Sequence, residues 1–234
     1  MRLNVSMQKQ PDLTTCGPTS LHAVYAFYQD SISLEQTIKE INQFEKGGGT
    51  LAVVLGKHAI RRGYKATLYS FNINVFDPSW FEKDRAFICA KLTESIKAGP
   101  SSDKHLYVLN EYREFLELGG KLKFCDLSKE LIRSILDSKI PILTGLSSTW
   151  LYRDKRENPV TNEDDDISGE PAGHFVIVDG HEKNGEFSIC DPYHRNPINS
   201  SNHYLIDGDR LVTSVLLGIS SYDGNLLLIE KINE

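Results

Sequence analysis

The feature that most constrains the fold is a run of apolar residues that opens with a histidine. Residues 174–178 (HFVIV) predict a β-strand, because apolar and β-branched residues follow one another over a short stretch. Turn-forming residues occupy 180–185, and a second strand is predicted at 186–190. Two strands joined by a short turn pair antiparallel. The sequence therefore predicts a β-hairpin in the second half of the chain.

Helices and further strands are predicted on both sides of this hairpin. Pro18 suits the first turn of one helix, and Ser33 with Gln36 forms a capping box for another, which the glycines at 47–49 end. The first helix is predicted at 17–29, and the remaining helices are predicted at 50–62, 79–98, 104–118, 128–138 and 209–217. Further strands are predicted at 64–71, 121–125, 140–146, 203–206 and 226–229. Short connections between neighbouring strands favour an α+β fold, with a largely antiparallel sheet packed on helices.

The chain has the length of one domain with a sizeable core. It has 234 residues, of which 40% are hydrophobic. The helices predicted between 77 and 118 carry too little apolar surface to fold alone, so we interpret them as an insertion in a single domain spanning 1–234. A polar segment at 153–172, with four consecutive acidic residues at 163–166, is predicted to be a loop.

Charge and cysteine usage exclude several classes of protein. The net charge is −6, which argues against a nucleic-acid or anionic-membrane partner. No apolar run approaches the ~20 residues of a membrane span, and residues 1–10 lack the apolar core of a signal peptide. We therefore expect a cytoplasmic protein with reduced thiols. No CxxC pair is present, which disfavours a closed zinc finger and a dithiol redox motif. We expect neither a metal nor a cofactor.

Cys16 is the best candidate for a reactive residue. It follows a loop and precedes the first predicted helix, whose N-terminus carries about half a positive charge. Unpaired backbone N–H groups at that position favour a thiolate, which is a nucleophile. The alternative is a buried structural cysteine at a helix start.

A nucleophilic thiolate needs a base, and histidine is the usual one. His174 opens the apolar strand at an edge of the sheet where loops converge, although a structural strand histidine is the alternative, and His194 and His203 stay open as candidates. Asp191 ends the second strand of the hairpin. The turn of the hairpin could bring the Asp191 carboxylate back beside His174. Asp179 is five positions after His174, and this odd spacing points it to the opposite face.

Read as a set, these residues resemble the papain-like cysteine peptidases, in particular the bacteriocin-processing, double-glycine leader peptidase domains. That family has a glutamine six residues before its nucleophile, and here Gln10 precedes Cys16 by six in a Q-x5-CGP pattern. Its histidine opens an apolar strand, as in GHFVIV at 173–178, and its aspartate follows in a D-P turn, as Asp191 does here. The resemblance covers about 8–72 and 121–206.

The resemblance implies a papain-like fold and a stand-alone cysteine peptidase acting on a peptide or protein substrate. Cys16 would be the nucleophile, His174 the general base and then acid, and Asp191 the residue that orients His174. Gln10 would donate its side-chain amide to the oxyanion hole, with Gln8 as a rival whose spacing matches less well. Thr15 departs from the family, in which many members have an acidic residue at that position.

Other functions stay open at this stage. The same triad could serve an acyltransferase, a transglutaminase-like enzyme or an amidase, or the chain could be a catalytically silent peptide-binding domain. A metal site is a further alternative, built from His174, His181, Cys190, Asp191 and His194. The glycines at 47–49 before a helix could hold an anion, although a helix boundary fits them better. The acidic loop at 153–172 could be a mobile lid that favours basic substrates.

Overall fold

A computed structural model describes residues 1–41, 49–199 and 201–232. The α-helices are α1 (Cys16–Phe27), α2 (Leu34–Glu40), α3 (Ala52–Arg61), α4 (Arg85–Ala98), α5 (Asp103–Glu117), α6 (Lys129–Asp137), α7 (Ser148–Tyr152) and α8 (Gly208–Leu217). The strands are β1 (Tyr64–Ser70), β2 (Lys121–Lys123), β3 (Ile142–Ser147), β4 (Gly173–His181), β5 (Glu186–Cys190), β6 (His203–Asp207) and β7 (Asn225–Lys231). Two short 3-10 helices lie at Pro78–Trp80 and Gly218–Ser221.

The strands form one seven-stranded sheet in the order β2-β1-β7-β3-β4-β5-β6. Among these strands only β1 and β2 pair in parallel, and every other neighbouring pair is antiparallel. The predicted hairpin is β4–β5, in which Ile177 pairs with Cys190, with a bulge between Val178 and Gly180. The predicted α+β fold with a largely antiparallel sheet is therefore confirmed.

The sheet separates two apolar cores, and β4 contributes to both. Phe175 and Ile177 pack into the first core with helices α1, α3, α4 and α5. Val176 and Val178 point to the opposite face and pack into the second core with α6 and α8. Successive residues of a strand face opposite sides, so a continuous apolar run is what a strand covered on both faces requires.

Helices α4 and α5 pack against the first core. Ile88 and Leu92 of α4 and Phe115 of α5 are buried there. The predicted helix at 79–98 begins later than expected, because the Asp84 side chain accepts a hydrogen bond from the Phe87 N–H and starts α4 at Arg85. That 77–118 is an insertion in one domain stays a prediction.

The structure differs from the sequence predictions at the ends of β3 and α2 and in the capping of α2. The strand predicted at 140–146 is followed at once by a short helix, α7, which contains Trp150 and whose N-cap is Ser147, the last residue of β3. Ser33 caps α2 as predicted, but the Gln36 side chain bonds Glu40 instead of completing the capping box. α2 ends at Glu40, before the glycines at 47–49, of which 47 and 48 lie outside the described residues.

Candidate active site

Cys16 is the first residue of α1, and its side chain is buried beside the sheet. The residue is 8% exposed, and the preceding Thr15 provides no side-chain cap to the helix. The N–H groups of a first helical turn have no partner within the helix. A β-carbon on Gly17 would lie 3.3 Å from the Phe175 ring of β4. The glycine therefore allows the start of α1 to approach β4 closely.

His174 is at the start of β4, opposite Leu146 of β3, and is buried. Its Nε2 lies 2.9 Å from Asp191 Oδ1, and the Cys16 thiol is close enough to the ring to raise its pKa. Because Nε2 is engaged by Asp191, Nδ1 is the ring nitrogen left for the sulfur. Burial lowers the pKa of His174, but the charge and hydrogen bond of Asp191, with the contact to Cys16, raise it to about 10.

Asp191 immediately follows β5 and is fully buried. Oδ1 accepts a second hydrogen bond, from the Tyr193 backbone N–H at 2.8 Å. Oδ2 accepts hydrogen bonds from the Tyr152 and Tyr204 hydroxyls, both at 2.7 Å. Burial raises the pKa of the Asp191 carboxyl, but the charge of His174 and three side-chain hydrogen bonds keep it below its ordinary value. A buried carboxylate with this many donors is held ionised and fixed in orientation.

Sequence reasoning missed the two tyrosines. Tyr152 ends α7 and Tyr204 lies in β6, so two distant segments meet at one carboxylate oxygen. Burial and the neighbouring Asp191 charge raise the pKa of both hydroxyls, so both donate as neutral groups. One signal was available for Tyr204, which occupies an inward position in β6, between the half-buried His203 and the exposed Leu205. A tyrosine hydroxyl buried in this way needs a partner.

Gln10 lies in the loop before α1 and hydrogen-bonds Pro192, the residue that follows Asp191. Its backbone N–H donates to the Pro192 carbonyl at 3.0 Å. Its side-chain Nε2 donates to the Asp12 carbonyl at 2.8 Å, which uses one of the two N–H groups of the amide. Gln10 is 5% exposed, and its Oε1 has no hydrogen-bond partner among the described residues. The rival Gln8 is exposed.

The residues of the alternative metal site are divided among separate contacts. His181 pairs with Asp137 at 2.9 Å, and the Cys190 sulfur lies 3.6 Å from His203. Burial, followed by the charge of the neighbouring Asp179, raises the pKa of the Cys190 thiol well above its usual range, which makes it unreactive. Within the described ranges, no group of three or more His, Cys, Asp or Glu side chains could hold a metal ion.

Asp179 does not reach His174. It lies at the bulge of β4, and its Oδ2 is 3.4 Å from Arg2 Nε. His203, which was open as a base, is the first residue of β6, and burial lowers its pKa. These contacts leave Asp191 as the carboxylate at His174.

The acidic segment 153–172 folds back on itself. The backbones of Glu157 and Glu170 exchange hydrogen bonds at 2.8 and 3.0 Å, and Arg156 donates to the carbonyls of Asp166 and Ile167. Burial and the charges of neighbouring aspartates raise the pKa of Glu157, while the charge of His174 acts in the opposite direction. The segment therefore approaches the His174 side of the site. Its role as a lid stays a prediction.

A cysteine at the start of a helix that contacts a histidine at the start of a strand, in an α+β fold, is the arrangement of the cysteine peptidases. The chain belongs to the Peptidase_C39-like family, whose model matches residues 2–206. The protein is therefore a hydrolase of the cysteine peptidase class. No curated protein matches the chain. None of the helices in the described part of the chain is both long and apolar enough to cross a membrane.

Three solved structures are similar to the chain over nearly its whole length, at low sequence identity. The peptidase domain of Streptococcus ComA, a bifunctional ABC transporter of a quorum-sensing pathway, is 13% identical, with a TM-score of 0.47 over 98% of this chain and 100% of that chain. A C39-like peptidase from Bacillus anthracis is 12% identical, with a TM-score of 0.48, and the match covers 99% of this chain and 97% of that chain. A double-glycine-motif protease from an AMS/PCAT transporter, in complex with a leader peptide, is 14% identical, with a TM-score of 0.46. The match covers 99% of this chain and 94% of that chain.

Proposed function

We propose that the protein cleaves peptide bonds with Cys16 as nucleophile, His174 as its proton partner, Asp191 as the group that orients His174, and Gln10 as an oxyanion donor. One observation carries the proposal: the His174 ring hydrogen-bonds the buried Asp191 carboxylate at 2.9 Å and has the Cys16 thiol beside it. This is the geometry of a nucleophile whose base is held by a third group. The proposed substrate is a peptide or protein.

The charges around His174 support a thiolate–imidazolium pair as the reactive state. A pKa of about 10 keeps the ring protonated at neutral pH, and this cation next to the sulfur stabilises a thiolate. The thiolate attacks the substrate carbonyl carbon, and the imidazolium gives its proton to the amine that leaves. Water then attacks the resulting thioester, with His174 accepting its proton, and Cys16 is regenerated. Asp191 stays ionised throughout.

The oxyanion formed during each attack needs hydrogen-bond donors already in position. The second N–H of Gln10 Nε2 is the proposed donor, because the first is fixed to Asp12 and orients the amide. The Cys16 backbone N–H, in the first turn of α1, is the second. Loss of one such donor lowers kcat by about 100-fold to 1000-fold in other hydrolases, and we expect this range for Gln10→Ala.

The test is cleavage of a complex mixture of peptides by the full chain, read out by mass spectrometry. We expect new peptide termini with the wild-type protein and none above background with Cys16→Ser or His174→Ala. Cys125→Ser is the matched control, because Cys125 is an exposed free cysteine of the same chain. Its activity should equal that of the wild type. Cleavage that persists in Cys16→Ser would contradict the assignment of the nucleophile.

The same experiment separates the alternative functions. Transfer of an added primary amine onto the substrate, in place of hydrolysis, would indicate an acyltransferase or transglutaminase-like enzyme. Peptides that are retained by the protein but never cut would indicate a binding domain. Alkylation of Cys16 by iodoacetamide at equal rates in the wild type and in His174→Ala would support that second outcome.

A further inference from the structure

A cavity of about 710 Å³ lies beside β2, at the edge of the sheet far from Cys16. Strand β2 is separated from β4 by β1, β7 and β3, which at ~4.8 Å per strand is about 19 Å. None of Gln10, Cys16, His174 and Asp191 lines the cavity. Its volume is that of a ligand pocket. It is therefore a space distinct from the proposed active site.

The polar lining of the cavity is cationic, although the whole chain is acidic. Four exposed cations line it: Lys83, Arg85, Lys121 and Lys123. No Asp or Glu of the described ranges belongs to the lining, and none of the four cations forms a salt bridge with another described residue. Cations without a carboxylate partner around one cavity favour an anionic occupant.

The cavity runs along β2, an edge strand of the sheet. Residues 121–125 line it consecutively, and in the described part of the chain β2 pairs with no strand other than β1. An edge strand presents unpaired N–H and C=O groups to an added strand. Lys123 is fixed toward the β1 side chains, because its Nζ donates to the Tyr69 hydroxyl at 3.2 Å.

The two faces of β2 differ in the side chains they offer. Lys121 and Lys123 are exposed on one face, whereas Leu122 on the other face packs against the first core. Ile88 and Leu116 add apolar surface to the lining, and Phe81 and Phe124 stack with ring centroids 4.3 Å apart. An added strand alternates its side chains with the same period of two. The matching strand is acidic on one face and apolar on the other.

We propose that the β2 cavity binds an extended peptide segment with alternating acidic and apolar residues, which adds to the sheet as a strand next to β2. Its carboxylates pair with the cations of the rim, and its apolar side chains cover the Leu122 face. The site is independent of peptide cleavage, so it stands or falls separately from the proposed function.

The test is calorimetric binding of the acetylated, amidated peptide Glu-Leu-Glu-Leu-Glu to the wild-type protein at low salt, repeated in Cys16→Ser to exclude cleavage. We expect Lys121→Glu/Lys123→Glu to weaken binding about tenfold or more. The pair Lys39→Glu/Lys183→Glu is the matched control, because it makes the same charge change at two exposed lysines outside the cavity. The affinity of this control variant for the peptide should stay within about twofold of that of the wild type.

Backbone methylation tests the added strand itself. Alternate N–H groups of an extended strand point to the same neighbour. Two variants of the peptide are therefore compared, one N-methylated at its glutamates and the other at its leucines. We expect one of them to bind more weakly than the unmethylated peptide and the other to bind equally well. Equal binding of both methylated peptides, together with displacement by pyrophosphate, would overturn the proposal in favour of a small-anion site. Equal weakening by the control pair, or no binding by the wild type, would also overturn it.

Discussion

Asp191 shows how one buried charge organises the residues around it. Its two oxygens accept four hydrogen bonds, from His174, the Tyr193 N–H and two tyrosine hydroxyls. The tyrosines occupy Oδ2, which leaves Oδ1 aimed at His174 Nε2. We infer that Tyr152 and Tyr204 are positioning residues, which act on His174 through Asp191.

At the residue scale, the pKa of His174 should depend on the charge of Asp191. With Asp191→Asn, burial would lower the pKa of His174 and no carboxylate would offset it, so the ring would lose its proton at lower pH. We expect the NMR titration of the His174 ring to have its midpoint at about 10 in the wild type and at least about one unit lower in the variant.

Asp137→Asn is the control for this titration, since it makes the same change at a carboxylate that hydrogen-bonds His181 at 2.9 Å and not His174. Its His174 midpoint should stay close to that of the wild type. A wild-type midpoint near 6.5, or no change in Asp191→Asn, would show that the carboxylate does not set the pKa.

At the scale of elements, helix α5 is tied to the rest of the molecule by Phe115. This ring is fully buried, and a β-carbon on Gly56 of α3 would lie 2.7 Å from it. The glycine therefore lets α3 and α5 approach closely. The sequence predicted both helices from their periodicity, but this contact joins residues that are far apart in the chain, so no local pattern indicates it.

Phe115→Ala should lower the free energy of unfolding by about 3–5 kcal/mol, because it leaves a cavity between α5, Gly56 of α3 and Gly120. Phe87→Ala is the matched control: Phe87 lies on α4 and is 36% exposed, so its loss should cost about 1 kcal/mol or less. Urea unfolding of the two variants measures the difference. Equal losses would mean that α5 does not depend on this core.

At the scale of the whole molecule, two cores share one sheet. Strands β3, β4 and β7 each send alternate residues into both cores, so disruption of one face removes the support of the other. This arrangement favours a single unfolding transition, as expected for one domain spanning 1–234.

The two tryptophans of the chain can test that cooperativity. Trp80 packs against the first core, and Trp150 lies in α7, whose Leu151 belongs to the second. The variants Trp80→Phe and Trp150→Phe each leave one fluorescent reporter. We expect each reporter to follow the same urea midpoint as circular dichroism of the same variant. A reporter that changes before or after the circular dichroism would contradict the single domain.

The sequence by itself determined the hairpin, the α-helices other than α7, and the order of the candidate residues from Gln10 to Asp191. These follow from local patterns of apolar, turn-forming and capping residues, which act over a few positions. The tertiary structure decided which groups meet. The register of β4 and β5 brings Asp191 to His174, while the bulge directs Asp179 to Arg2. The convergence of Tyr152 and Tyr204 on Asp191, and the cations around β2, depend on packing between distant segments, which no local pattern encodes.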